Sequence, residues 1–389
     1  MIRMGINRPG GARRGRVSAV AMMLAVVLAG AVAGCDEPAS TPSPSVAAID
    51  SLLDALANGT RTERAAAVDG LAELGDQAAV PVLAKALADE DWTVRWRAAE
   101  ALVILPDARA VEPLLTLVAT APASPAVDDG DLSAARAAYQ AGIRALGAIG
   151  DARALPRLVE IAAVAEWTPD SGAAEEAIGA IGDAGLPAIT DALAAAPAEQ
   201  AARIVPLLGR LGKAGLAPLI TALGDKRLPV AIAAATALVP YGGEAVEALV
   251  HALKAKDRSV RLAVADALGD IGDPKATAGL VGLLADSKAV NVATRALVKI
   301  HADDGTPLVA YLKAKKTVGV YRALIRIGDA DTVAALVKAL KAFGSKTMGE
   351  AYLNCGNPTL EKAAKDWGRA HGYTVVTSPG VGAEAWGGG

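Results

Sequence analysis

A glycine-closed helix end, most often Gly-Asp, recurs about every thirty residues between Asp76 and Asn357, and this spacing restricts the chain more than any other feature. The marks read Leu74-Gly75-Asp76, Leu105-Pro106-Asp107, Ile149-Gly150-Asp151, Ile181-Gly182-Asp183, Leu211-Gly212-Lys213, Tyr241-Gly242-Gly243, Ile271-Gly272-Asp273, Ile327-Gly328-Asp329 and Cys355-Gly356-Asn357. Successive marks are 31, 44, 32, 30, 30, 30, 56 and 28 residues apart, where 44 holds an insertion and 56 spans one degenerate unit near Ile300. A period of this length means that one small unit stacks on copies of itself, so the 389 residues do not count domains.

One unit shows the logic. Val80-Pro81-Val82-Leu83-Ala84-Lys85-Ala86-Leu87 has helical spacing, Glu90-Asp91 breaks it, and a second helix carries Val94, Ala98, Leu102 and Leu105 as one buried stripe. Trp96, Glu100 and Val103 fall on the opposite face. Neither helix buries its apolar face alone, and a neighbour on each side completes the core. Glycine at the end of the second helix admits a left-handed cap, and the following Asp is placed to cap the next helix. Pro81, Pro113, Pro156, Pro187, Pro218 and Pro307 are expected in the first turns of first helices, where a missing amide donor costs little. Hydrophobic residues make up 53% of the chain and aromatic ones 3%, so Ala, Leu, Val and Ile must build this core.

The units Val94-Arg95, Ala98-Ala99, Ala101-Leu102 and Val260-Arg261, Ala263, Ala265, Ala267-Leu268, Ile271-Gly272-Asp273 resemble the HEAT repeat, in the bacterial variant called the phycobilisome-lyase HEAT-like repeat. The resemblance covers roughly residues 51–373. It implies an all-α fold, an α-α superhelix of the armadillo/HEAT type wound as a right-handed solenoid of about ten helix pairs. Pro106 in place of Gly, Pro206 and Pro240 in second helices, and His301-Ala302-Asp303-Asp304 without a glycine cap depart from the pattern and are expected to disturb it locally.

Four regions are expected. Arg13, Arg14 and Arg16 precede an apolar run from Val17 to Val32, followed by Ala33-Gly34-Cys35, the parts of an export signal. Val32-Ala33-Gly34-Cys35 resembles the lipobox of bacterial lipoproteins, which implies acylation of Cys35 after removal of residues 1–34 and anchoring without a membrane span. Without lipidation, the same segment suits a secreted protein cut nearby. Residues 35–50 have the Pro/Ser composition of a tether, 51–373 the repeats, and 374–389 that of a mobile tail. The expected location is extracytoplasmic, attached to the cell membrane. Cys355 is the remaining cysteine, so no disulfide framework is expected.

Catalytic and cofactor signals are weak. His251, His301 and His371 lie in different repeats with no second ligand three or four residues on. Deoxyhypusine hydroxylases, which share the repeat, hold iron with His-Glu pairs; here Ala252, Ala302 and Gly372 follow the histidines. No phosphate loop is present, no cofactor or small-molecule substrate is expected, and the family's lyase name alone does not choose a lyase activity. Asp128-Asp129-Gly130-Asp131 lacks the spaced ligands of a calcium loop and reads as a solvated acidic turn, with calcium the alternative.

Binding is the function this pattern suits, with an unidentified protein as the partner. Insertions at 120–132 and 165–172 enlarge the turns of successive repeats, and that edge is expected to gather Trp92 and Trp167 among Glu90, Asp91, Asp128, Asp129, Asp131, Glu166 and Asp170. Rings folded over helix ends are the other reading. A second candidate is the face of the second helices, where Asp69, Glu100, Arg144, Glu176, Pro206, Thr236, Asp266, Arg295 and Arg322 occupy equivalent positions, with Trp96 and Arg97 beside them; a merely solvated face suits the same residues. Residues 36–200 hold 26 acidic and 10 basic side chains, net −16, whereas 201–389 hold 16 and 24, net +8. Dispersed lysines and few aromatics speak against nucleic acid. A lyase or hydroxylase, or a cell-envelope polymer binder using Lys313, Lys315 and Lys316, are the alternatives to a scaffold.

Overall fold

The computed structural model describes residues 46–119, 121–122, 130–313, 319–374 and 385–388, with the side chains of 46–48, 130, 131 and 313 outside that set. Residues 1–45 lie outside it, and with them the expected signal, Cys35 and most of the tether.

Helices pair in chain order. They run α1 (Val46–Asn58) with α2 (Arg61–Leu74), α3 (Val80–Ala86) with α4 (Trp92–Ile104), α5 (Val111–Leu117) with α6 (Gly130–Ile149), α7 (Leu155–Ala162) with α8 (Pro169–Ile181), and α9 (Leu186–Ala195) with α10 (Ala198–Arg210). The second half continues with α11 (Lys213–Ala222) and α12 (Leu228–Ala237), α13 (Gly243–Ala252) and α14 (Arg258–Ile271), α15 (Thr277–Leu283) and α16 (Val290–Ile300), α17 (Thr306–Val309) and α18 (Val320–Ile327), α19 (Val333–Phe343) and α20 (Lys346–Leu353), closed by α21 (Pro358–Ala370). Even-numbered helices pack on one another along the array, each touching the second helix of the next repeat. Among the described residues these helices make ten pairs, the α-α superhelix that the period implies.

The core is one continuous seam. Val94, Ala98 and Leu102 are fully buried, as the stripe requires, and Ile143, Leu146, Ile178, Ile204, Leu208, Val264 and Leu268 extend it through the following repeats. Small residues let second helices approach closely: a Cβ added at Gly147 would lie 2.7 Å from Ala177, and one at Gly269 would lie 2.8 Å from the Ala296 Cα.

The glycine marks take two forms. Gly75, Gly272 and Gly328 close their helices in the left-handed region, with φ near 70° and ψ of 13°, 11° and 24°. The Asp that follows each then accepts a hydrogen bond from the amide two residues on and starts a 3-10 turn before the next helix. Gly182, Gly212 and Gly242 instead combine positive φ with ψ of −141°, −132° and −132° and lead directly into helical backbone, without a side-chain cap. That region is essentially restricted to glycine. Asp183, expected as a cap, makes none.

Where Pro106 replaces glycine, Asp107 caps the Arg109 amide and pairs with the Arg109 guanidinium at 2.7 Å, which holds its carboxyl down at about 2. Arg109 then reaches the Gln77 carbonyl at 2.9 Å, and Arg153, paired likewise with Asp151, reaches the Ala108 carbonyl at 3.1 Å, so these Asp-x-Arg steps tie each joint to the one before. Pro81, Pro113, Pro156, Pro187 and Pro307 lie in the first turns of first helices as expected, and three other prolines differ from expectation. Pro218 is the sixth residue of α11, and Pro206 lies inside an unbroken α10 at an exposed position. Pro240 falls in a 3-10 turn beyond α12.

Candidate functional site: two surfaces of the repeats

The turn before α4 is fixed by the preceding repeat. Arg64 on α2 grips both carboxylate oxygens of Asp89 at 2.9 Å and touches Glu90 at 3.0 Å, while Arg61 holds Asp91 at 2.9 Å. Asp91 also caps α4 through the Thr93 amide at 2.8 Å. Glu90 and Asp91, expected beside Trp92, are therefore each paired with an arginine of α2. Instead, the Arg95 guanidinium stands 4.2 Å from the Trp92 ring centre, in a cation–π arrangement that aligns the two side chains.

Trp92 borders a groove of about 710 Å³ between α3 and α5, lined by Pro81, Lys85, Arg95, Arg109 and Leu117 as well. Its charged lining is cationic. Sequence reasoning missed this, because Lys85 and Arg109 belong to neighbouring helix starts and ends that only stacking brings beside Trp92.

Trp96, Arg97 and Glu100 lie elsewhere, on the second-helix face. Trp96 donates from Nε1 to Glu100 at 3.2 Å, Glu100 also takes the Arg144 guanidinium from α6, and Arg97 pairs with Asp69 on α2. The same face continues with Glu175 to Arg210, Asp266 to Arg295 at 2.5 Å and Asp270 to Lys299 at 2.5 Å. Neighbouring members of the equivalent-position strip, Glu100 with Arg144 and Asp266 with Arg295, thus bind each other. The uncharged pair Pro206 and Thr236 separates the two laced stretches.

At the next enlarged turn, Trp167 is 72% exposed although its ring lies over Gly172, whose added Cβ would meet it at 3.1 Å. Asp170 is buried, not part of an acidic rim: it accepts from Gln140 at 2.8 Å and faces Arg136 at 3.4 Å. Asp128 and Asp129 lie outside the described residues, and Asp131 is described only as backbone in α6. Of the eight expected binding residues, the five whose side chains are described divide between a turn-edge groove (Trp92), the second-helix face (Trp96, Arg97 and Glu100) and a separate exposed ring (Trp167).

His301, His371 and Cys355 each bond to or stack on a neighbour within the array. His301 is buried at the end of α16 with Nε2 2.8 Å from Thr277 Oγ1, and burial pushes its pKa below the usual value. His371 stacks on Trp367 with ring centres 4.6 Å apart, and His251 lines a groove between α11 and α13 with Glu244 and Glu247. The buried Cys355 thiol donates to the Tyr352 carbonyl at 3.1 Å, and burial pushes its pKa up, which keeps it protonated. Among the described residues, no group of three His, Cys, Asp or Glu is placed to hold a metal ion, and no helix is long and apolar enough to cross a membrane.

Stacked helix pairs joined at glycine-closed ends define an armadillo/HEAT-type solenoid. The family models agree: HEAT repeats match residues 49–130 and 216–298, and the PBS lyase HEAT-like repeat matches 138–163. Among curated proteins, none matches in sequence. Similar solved structures include human deoxyhypusine hydroxylase in complex with glycerol, 21% identical over 65% of this chain and 95% of that one, TM-score 0.28. The complex of CpcE and CpcF of phycocyanin lyase from Nostoc sp. PCC7120 is 21% identical over 75% and 98%, TM-score 0.30. The karyopherin Kap121p bound to the extreme C-terminus of the protein phosphatase Cdc14p is 14% identical over 84% of this chain, TM-score 0.46, and this chain spans 42% of it.

Proposed function

We propose that this chain is a non-catalytic protein-binding scaffold, held at the outer side of the cell membrane by lipid on Cys35 and carried on the 35–50 tether. The observation that carries the binding role is the Trp92 groove: an aromatic ring aligned by Arg95, with Lys85 and Arg109 around it, suits an acidic or aromatic segment of a partner protein. Exposed Trp167 offers a second contact two repeats further on.

Two experiments test the reading. Affinity capture from detergent-solubilised host membranes, with the wild-type chain beside a Trp92→Ala, Trp167→Ala version, is expected to retain a protein on the first that is lost on the second. Equal retention on both removes the groove from the proposal. Metabolic labelling with a radioactive fatty acid is expected to mark the wild type and not Cys35→Ser, and an unlabelled wild type ends the anchoring reading.

A further inference from the structure

Residues 385–388 return to the last repeats and make two backbone hydrogen bonds there. The Trp386 amide donates to the Cys355 carbonyl at 2.8 Å and the Gly387 amide to the Ile325 carbonyl at 3.0 Å. Both acceptors stand at helix ends, Ile325 in the final turn of α18 and Cys355 just past α20, where carbonyls have no helical donor. The half-buried Trp386 ring packs against the apolar core of the array.

The fit depends on glycine on both sides. A Cβ at Gly328 would lie 2.5 Å from the backbone nitrogen and Cα of Gly387, whereas at Gly75, Gly150, Gly242 and Gly272 the same position has no atom within 4 Å. Gly387 itself has φ of 70°, a conformation that other residues rarely take. The glycine joint at Gly328 is thus occupied where its counterparts are open.

We infer that the joint formed by Gly328, Ile325 and Cys355 is a peptide-binding site for a Trp-Gly turn, filled in this chain by its own residues 385–388, where the Gly388 amide donates to the Ala385 carbonyl at 3.1 Å. Main-chain donors supply the register, the indole supplies the anchor, and glycine allows the approach. A short intramolecular connection gives the tail an effective concentration on the order of millimolar, so a free peptide competes poorly while the tail is intact.

Hydrogen exchange on the full chain tests the site. The Trp386 and Gly387 amides are expected to be protected in the wild type and in Gly272→Ala, which carries the same backbone strain with open space above it, and unprotected in Gly328→Ala. Unprotected amides in the wild type, or protection that survives Gly328→Ala, would overturn the inference. A second measurement leaves the joint unaltered, so it decides even where Gly328→Ala does not fold: the full-length Trp386→Ala chain is titrated with the synthetic peptide Ala-Glu-Ala-Trp-Gly-Gly-Gly. It is expected to bind at least tenfold more tightly than the wild type does, and a peptide with Ala for Trp is expected not to bind. Absence of binding to Trp386→Ala rules the peptide site out.

Discussion

His301 Nε2 lies 2.8 Å from Thr277 Oγ1, with both residues buried, and this pair joins the end of α16 to the start of α15. The Thr277 hydroxyl donates to the Pro274 carbonyl at 2.7 Å, so it accepts from His301, which assigns the proton to Nε2 by the network. Burial lowers the imidazole pKa, with the Asp304 carboxylate opposing the shift in part.

The pH consequence has a definite sign. A folded pKa below the unfolded value of about 6.5 means that the unfolded chain takes up the proton first, so stability falls as pH drops from about 6.5 to the lower folded value and then levels. The melting temperature of the wild type is expected to fall between pH 7 and pH 5, and His301→Gln to remove part of that fall. An unchanged pH dependence in His301→Gln would show that His301 is not its source.

Two glycines in the same sheath of helices predict opposite signs. Gly269 faces Ala296 with no room for a methyl, whereas Gly282 on α15 is exposed with open space around it. Gly269→Ala is expected to destabilise by about 1–2 kcal/mol, overpacking outweighing the helix-propensity gain, while Gly282→Ala stabilises by up to about 1 kcal/mol. Denaturant midpoints of the two variants measure this directly.

Arg227 clamps two repeats. Its guanidinium donates to the Leu193 and Ala196 carbonyls at 3.0 and 2.8 Å and pairs with Asp225 at 2.7 Å. Arg227→Ala is expected to lower the denaturant midpoint, and Arg227→Lys to recover little of the loss, since an ammonium cannot span the fork. Full recovery by lysine would reduce the clamp to simple charge.

The Glu100 and Arg144 side chains are 41% and 42% exposed, so their pairing is screened. Glu100→Gln is expected to cost under about 1 kcal/mol in dilute buffer and nothing measurable in 1 M salt. A larger, salt-independent cost would mean that Glu100 acts through the Trp96 indole instead.

The outward surfaces were the least legible part of the sequence. Helical spacing located Trp92, Trp96 and Glu100 on their helix, but Arg64 and Arg144 come from other repeats and Lys85 from the other helix of the pair, and the charge around a side chain is a property of all its neighbours. The buried Asp170 shows the same limit: its acidity suggested a solvated rim, and its partners Gln140 and Arg136 lie on the previous second helix.

The sequence alone determined the repeat, the order of helices and the positions of the joints, because glycine at positive φ and apolar residues at helical spacing are local requirements of each unit. Gly75, Gly150, Gly182, Gly212, Gly242, Gly272, Gly328 and Gly356 all have that φ. Tertiary structure decided which form each joint takes, which charges cancel, how His301 is buried and where Trp386 docks. Those depend on the distance between stacked repeats, which no single unit encodes.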